Sequence, residues 1–233
     1  MQEEWKKAAA VRAAELVRPG MTVALGSGTT MEEVVKLLAA RKVGARYIPS
    51  SSRIEALARS LGLEIAEFSA EPDLAIDGAD EVDSSFNMIK GRGGALTREK
   101  ILARAARRVA IVVDRTKLVR KLGERAPVPV EVLPFSVRFT SRLIEKIGGR
   151  PELRMKGGRP YVTDNGNYIL DVKFYCPFSP KLMEKKLNEL PGVVENGIFT
   201  GLVDLLIVGH ENGADTVTNR RTFLSLLRRL SKL

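Results

Sequence analysis

The run Met21-Thr22-Val23-Ala24-Leu25 is continuously apolar enough for a short buried strand, and Gly26-Ser27-Gly28-Thr29-Thr30 follows it at once. Behind the glycines, Met31, Val34, Val35 and Leu38 recur at i, i+3, i+4 and i+7, which places them on one face of a helix. Strand, glycine turn and helix in that order form the repeating unit of a parallel sheet covered by helices, and few other folds accommodate it. The unit recurs. Arg46–Ile48 reads as a strand, Ser50-Ser51-Ser52 as turn and N-cap, and Ile54, Leu57, Ala58 and Leu61 as the next helix face. Asp73–Ile76 is a third strand, residues 98–107 another helix, and Val109–Val113 another buried strand. With the helical pattern of residues 6–17 ahead of Pro19-Gly20, the first half reads as a doubly wound, Rossmann-like α/β domain.

Pro127, Pro129 and Pro134 mark a change of pattern. A helix is predicted over 137–147, stopped by Gly148-Gly149, and the Asn165-Gly166 pair predicts a tight hairpin between β-rich arms spanning 161–170. A helix near 180–190 and strands around Val193 and 203–208 complete a smaller α+β, ferredoxin-like unit. The last strand is expected to rejoin the first sheet. The expected division is 1–130 with 203–233 as the α/β catalytic domain and 131–202 as the smaller one. From Asn219 onward a helix puts Phe223, Leu226, Leu227 and Leu230 on one side and arginines off it, a pattern for packing on this protein or a subunit partner. The closing Ser231-Lys232-Leu233 matches a peroxisomal address and is read as a chance match.

Composition removes several chemistries. One cysteine, Cys176, excludes an internal disulfide and multi-thiolate zinc, and one histidine, His210, excludes histidine-rich metal sites. Acid–base work must fall to carboxylates and lysines. No run of about 18 apolar residues or secretory signal is present, so a soluble, cytoplasmic protein is expected. A net charge of +10 suits nucleic acid, an acidic membrane surface or a small anion. With 6% aromatic residues and no basic–aromatic interleaving, a phosphorylated metabolite is the better fit and neither nucleic acid nor membrane is expected as a partner.

Three segments could carry chemistry. At Gly26–Thr30, free amides at a helix start can cradle a phosphate, although an ordinary strand-to-helix turn looks the same; Met31 replaces the third glycine of a dinucleotide fingerprint. Asp77-Gly78-Ala79-Asp80-Glu81-Val82-Asp83 gathers four carboxylates at a strand end, where they could hold substrate hydroxyls, bind magnesium or form a solvated turn. Lys90-Gly91-Arg92-Gly93-Gly94 then runs into a helix bearing Glu99 and Lys100. Proton movement between adjacent carbons needs a carboxylate base and a cationic or N–H donor for an enediolate oxygen, and Glu99 and Lys90 could be that pair. Alone, Glu99 is equally a favourable acidic residue in a first helical turn.

At these residues the sequence resembles the type A ribose-5-phosphate isomerases. Further matching segments are Pro127-Val-Pro-Val-Glu131-Val, Gly148-Gly-Arg-Pro151, Val162-Thr-Asp-Asn165-Gly-Asn167, Ile169-Leu-Asp171 and Leu190-Pro-Gly-Val193, so the likeness reaches nearly to Gly209. The resemblance implies a homodimeric or homotetrameric aldose–ketose isomerase needing no cofactor or metal. By it, Glu99 is the general base, Lys90 stabilises a cis-enediolate, and Asp77 and Asp80 hold sugar hydroxyls and assist ring opening or proton movement between oxygens. Ser27, Gly28, Thr29, Thr30 and Lys117, with Lys6, would bind the phosphate, and Gly78, Ala79, Gly91, Arg92 and Gly93 would line the remainder. Arg92 departs from the family's usual glycine. A non-catalytic sugar-phosphate sensor is the alternative, and it would need no base.

Overall fold

The computed structural model describes residues 1–230; Ser231-Lys232-Leu233 lies outside them. In chain order, α1 (Gln2–Ala14) leads to β1 (Thr22–Leu25), α2 (Thr29–Arg41), β2 (Arg46–Pro49), α3 (Ser52–Ser60), β3 (Glu64–Ile65) and β4 (Leu74–Asp77). Two short strands, β5 (Glu81–Val82) and β6 (Met88–Ile89), precede α4 (Leu96–Ala105) and β7 (Val109–Asp114). Then come β8 (Val128–Val132), α5 (Val137–Lys146), β9 (Gly149–Leu153), β10 (Met155–Lys156), β11 (Arg159–Pro160), β12 (Tyr168–Phe174), α6 (Pro180–Asn188), β13 (Val193–Asn196) and β14 (Ile198–Phe199). The chain closes with β15 (Leu205–His210), β16 (Gly213–Val217) and α7 (Arg220–Leu230).

The main sheet has the order β16-β15-β7-β4-β1-β2-β3, parallel throughout except for the β15–β16 pair. β15 does rejoin the first sheet, beside β7. β4 and β7 are buried along their whole length, as expected for strands covered on both faces. One core layer packs Ala9, Ala13, Val34, Leu38 and Ile54 on Val23, Leu25, Ile76 and Val112. The other packs Leu102, Phe223, Leu226 and Leu230 on Val109, Ile111, Leu206 and Val208. The apolar stripe of α7 is thus spent inside this chain. From β1 the chain moves outward to β2 and β3, then returns to place β4 on the other side of β1. The resulting switch point lies between the carboxyl ends of β1 and β4, where an open α/β sheet forms its ligand crevice.

The second sheet is antiparallel, β13-β8-β12-β9, with Ile144 of α5 and Met183 and Leu187 of α6 in its core. One sequence expectation fails here. No hairpin spans 161–170: β12 starts at Tyr168 and pairs with β8 and β9, while residues 161–167 form no strand. A turn does occur, with Gly166 N–H donating to Thr163 O at 2.9 Å, and only Gly166 of the Asn-Gly pair has positive φ (+79°). The intended arm is diverted because its side chains bind elsewhere. Thr163, Asn165 and Asn167 donate to buried Glu131 at 2.8, 3.1 and 2.9 Å, and Asp164 accepts from Ser52 N–H at 2.8 Å.

Candidate active site

A cavity of about 420 Å³ opens at the switch point. Its walls come from Lys6, Ser27–Thr30, Gly78–Asp80, Lys90–Gly93, Glu99 and Lys117, which brings together every site residue expected from sequence except Asp77. Asp77 lies behind the wall, buried and touching Lys90. Gly26 explains how it fits: a Cβ there would lie 1.8 Å from Asp77 Oδ1, so the end of β1 must be bare for the β4 carboxylate to pack against it.

The loop after β1 is fixed from two directions. Ser27 Oγ lies 2.8 Å from Ser50 Oγ and donates to Ser51 Oγ at 2.7 Å, tying the ends of β1 and β2 together. From α1, Lys6 Nζ reaches Thr29 Oγ1 at 3.3 Å while pairing with Glu3 at 2.7 Å. Gly28 caps α2 without a side chain, so the first amides of that helix and the Lys6 ammonium converge on one end of the cavity. Lys117 lines the same cavity beyond β7. Gln2, Arg53 and Asp114 also line it, and the sequence reading missed all three. They come from the first turn of α1, the start of α3 and the end of β7; Gln2 donates to Asp114 at 3.2 Å, and Arg53 pairs with Glu32 at 2.5 Å.

The four carboxylates after β4 divide into two kinds. Glu81 is buried and accepts the amides of Gly123, Arg125 and Ala126 at 2.6–2.7 Å, and Asp83 accepts those of Ser85 and Asn87 at 2.8 and 3.0 Å. Both are consumed by loop structure. Asp80 borders the cavity and accepts the Arg92 N–H at 3.0 Å. Asp77 accepts the Gly78 N–H at 2.7 Å and pairs with Lys90 Nζ at 2.8 Å.

Lys90 is the electrostatic centre. Its ammonium donates to Gly78 O at 2.7 Å, pairs with Asp77, and stands 3.1 Å from Glu99 Oε2. That last contact lacks hydrogen-bond geometry, so Glu99 Oε2 is a buried acceptor with no donor among the described residues. One cation thus serves two buried carboxylates. Burial raises the Glu99 pKa, the Asp77 charge adds to the rise, and Lys90 only partly opposes it, leaving Glu99 at about 7. Burial likewise pushes Asp77 upward against the pull of Lys90. For Lys90 itself burial favours the neutral amine, but Asp77 and Glu99 outweigh it and hold the ammonium protonated. A carboxylate poised near neutrality beside a permanent ammonium can remove a proton from carbon and have the resulting negative oxygen stabilised at the same place.

The model of the family described as ribose 5-phosphate isomerase A (phosphoriboisomerase A) matches residues 46–213. The chain belongs to the ribose 5-phosphate isomerase A family. Curated members similar to it include the ribose-5-phosphate isomerase A of Thermomicrobium roseum, 48% identical over 94% of this chain and 96% of the relative. That of Thermosynechococcus vestitus is 44% identical over 89% and 92%. Among solved structures, a D-ribose-5-phosphate isomerase in complex with phospho-erythronic acid superposes with a TM-score of 0.91 at 38% identity, covering 94% of this chain and all of the other. The ribose 5-phosphate isomerase A of Methanocaldococcus jannaschii gives 0.89 at 37% identity, over 93% and 99%.

Proposed function

We propose that the chain interconverts D-ribose 5-phosphate and D-ribulose 5-phosphate, in the non-oxidative branch of pentose phosphate metabolism, by metal-independent proton transfer through a cis-enediolate. The observation that carries this reading is the Lys90–Glu99 pair: a buried carboxylate raised to about 7, with an undonated oxygen, 3.1 Å from an ammonium at the wall of a cavity sized for a sugar phosphate. A sensor needs only the cavity.

In this mechanism the phosphate sits against the α2 amides, Thr29, Thr30, Lys6 and Lys117. Asp80, at the cavity wall, takes sugar hydroxyls and assists ring opening, while Asp77 behind the wall acts through its pairing with Lys90. Glu99 removes the proton from C2 of the open-chain aldose; the C2–H electron pair forms the C1–C2 double bond, and the carbonyl electrons move onto O1. Lys90, donating to Gly78 O at 2.7 Å and paired with Asp77 at 2.8 Å, stabilises the enediolate oxygen. The O2 proton then transfers to O1, and Glu99 returns its proton to C1 as the C2 carbonyl forms. All atoms of the aldose are retained in the ketose.

The division into residues 1–130 with those from 203 on, and 131–202 as the smaller domain, belongs to the same reading, as does assembly into a homodimer or homotetramer. Leu133, Phe135 and Phe139 on the second unit are exposed and give a self-association face its apolar centre. A cytoplasmic setting fits the single free, exposed Cys176. The deciding experiment is a ribose 5-phosphate to ribulose 5-phosphate assay on purified protein in buffer stripped of divalent cations. Turnover is expected; tight binding without turnover would make the chain a sensor, and turnover only with added magnesium would return the carboxylates to a metal site.

A further inference from the structure

The loop between Lys90 and α4 is held by side chains of the second unit. Arg154, between β9 and β10, donates through Nη1 to both Gly91 O and Arg92 O at 3.0 Å. Its other edge forms a two-pronged pair with Asp171 of β12, Nε to Oδ2 at 2.8 Å and Nη2 to Oδ1 at 2.5 Å, which fixes the guanidinium plane. Tyr161, whose ring centre lies 5.9 Å from that guanidinium, donates its hydroxyl to Gly93 O at 3.2 Å. Three successive carbonyls are therefore anchored by residues 62–68 positions further along the chain. Gly94 seats the loop against Tyr161: its φ is +87°, and a Cβ would stand 2.3 Å from the Tyr161 oxygen.

The consequence falls on the reacting groups. The loop that Arg154 holds by its Gly91 and Arg92 carbonyls presents the Arg92 amide to Asp80, to which it donates at 3.0 Å. The loop also spans the interval between Lys90 and Glu99, so its drift would change their 3.1 Å separation. Arg154 itself does not line the 420 Å³ cavity.

We propose that Arg154, oriented by Asp171, is a positioning residue for the isomerisation, holding residues 91–93 so that Lys90, Asp80 and Glu99 keep their reactive geometry. The assignment rests on the isomerase reading given above. Arg154 and Asp171 line a second cavity of about 480 Å³ beside the first, which gives a small cation a route to the place the side chain occupies.

The test is steady-state kinetics of Arg154→Ala with and without millimolar methylguanidinium, beside a thermal melt. A displaced loop is expected to lower kcat by roughly 10- to 100-fold with KM within about threefold, because misplacement acts on the reacting geometry rather than on phosphate binding. Methylguanidinium is expected to restore part of kcat, and ammonium at equal ionic strength to restore none. Asp171→Asn, which keeps the arginine but loosens its orientation, is expected to lower kcat in the same direction by less, and it decides the matter if Arg154→Ala does not fold. A folded Arg154→Ala or Asp171→Asn with unchanged kcat overturns the proposal, as does a loss confined to KM. If the unmodified protein fails to isomerise ribose 5-phosphate, the functional reading falls and the proposal with it; if it does turn over and the folded variants match it, the positioning role alone falls.

Discussion

Two buried lysines face the same aromatic ring, Lys90 with its Nζ 5.4 Å and Lys100 with its Nζ 4.7 Å from the centre of Phe199. Each meets two carboxylates and one backbone carbonyl: Asp77, Glu99 and Gly78 O around Lys90, Glu184, Glu195 and Ile198 O around Lys100. The surroundings of those carboxylates differ. Glu184 also receives Arg104 at 3.4 Å and Thr200 Oγ1 at 2.5 Å, and Glu195 receives Asn188 and the Asn196 amide at 2.9 and 2.8 Å. Around Lys90, Glu99 Oε2 has no hydrogen-bond donor among the described residues, and a cavity adjoins it. Saturating the carboxylates makes a clasp that locks α4 to α6 and β13; in the proposed mechanism, leaving one undersupplied is what fits Glu99 to act as a base. On the proposed mechanism, the same residue types, ten positions apart, serve structure in one case and chemistry in the other.

Exchanging the two glutamates for glutamine separates these roles most sharply. Glu99→Gln is expected to lower kcat by about 10²- to 10⁴-fold with sugar-phosphate affinity little changed, while Glu184→Gln leaves kcat near normal in whatever protein remains folded. Equal losses in the two would erase the distinction. The next effect is on stability. Removing the Lys100 ammonium as Lys100→Met strands two carboxylates inside the protein and is expected to cost about 3–5 kcal/mol, lowering Tm by on the order of 10 °C in a calorimetric scan.

The pH dependence carries smaller effects. Glu99 must be ionised to act, so kcat/KM is expected to fall as pH drops through about 7. Because the Asp77 charge raises the Glu99 pKa, Asp77→Asn should move that limb to lower pH, and a stationary limb would show that Glu99 does not set it. Stability shows the reverse face of the same shift. A folded-state pKa above the ordinary 4.5 contributes stability that is fully present below 4.5 and lost as pH rises through about 7. Glu99→Gln is therefore expected to melt above the unmodified protein at pH 8 and together with it at pH 4.

Gly26–Thr30 and the Lys90–Glu99 stretch were legible in sequence because their signals are local: a strand end, glycines, and a helix start within a few residues. The division of the acidic turn was not legible. Glu81 differs from Asp80 only because amides 42–45 positions away come back to it. Distance along the chain also hid Gln2, Arg53 and Asp114, which reach the cavity from three separate elements. The Asn165-Gly166 signal misled for a related reason: a hairpin arm needs its side chains uncommitted, and Thr163, Asn165 and Asn167 are claimed by Glu131 on a neighbouring strand. α7 was readable as an apolar stripe, but only the packed structure shows that Phe223 and Leu226 cover this chain's own sheet.

The claim that Glu99 carries the proton between C2 and C1 is met most directly by running the isomerisation in deuterium oxide and following the label by NMR. Solvent exchange of the protonated Glu99 carboxyl before it reprotonates carbon is expected to carry deuterium into C1 of ribulose 5-phosphate and C2 of ribose 5-phosphate with the unmodified protein, and into neither position with Glu99→Gln. Exchange in Glu99→Gln at the unmodified rate would contradict it.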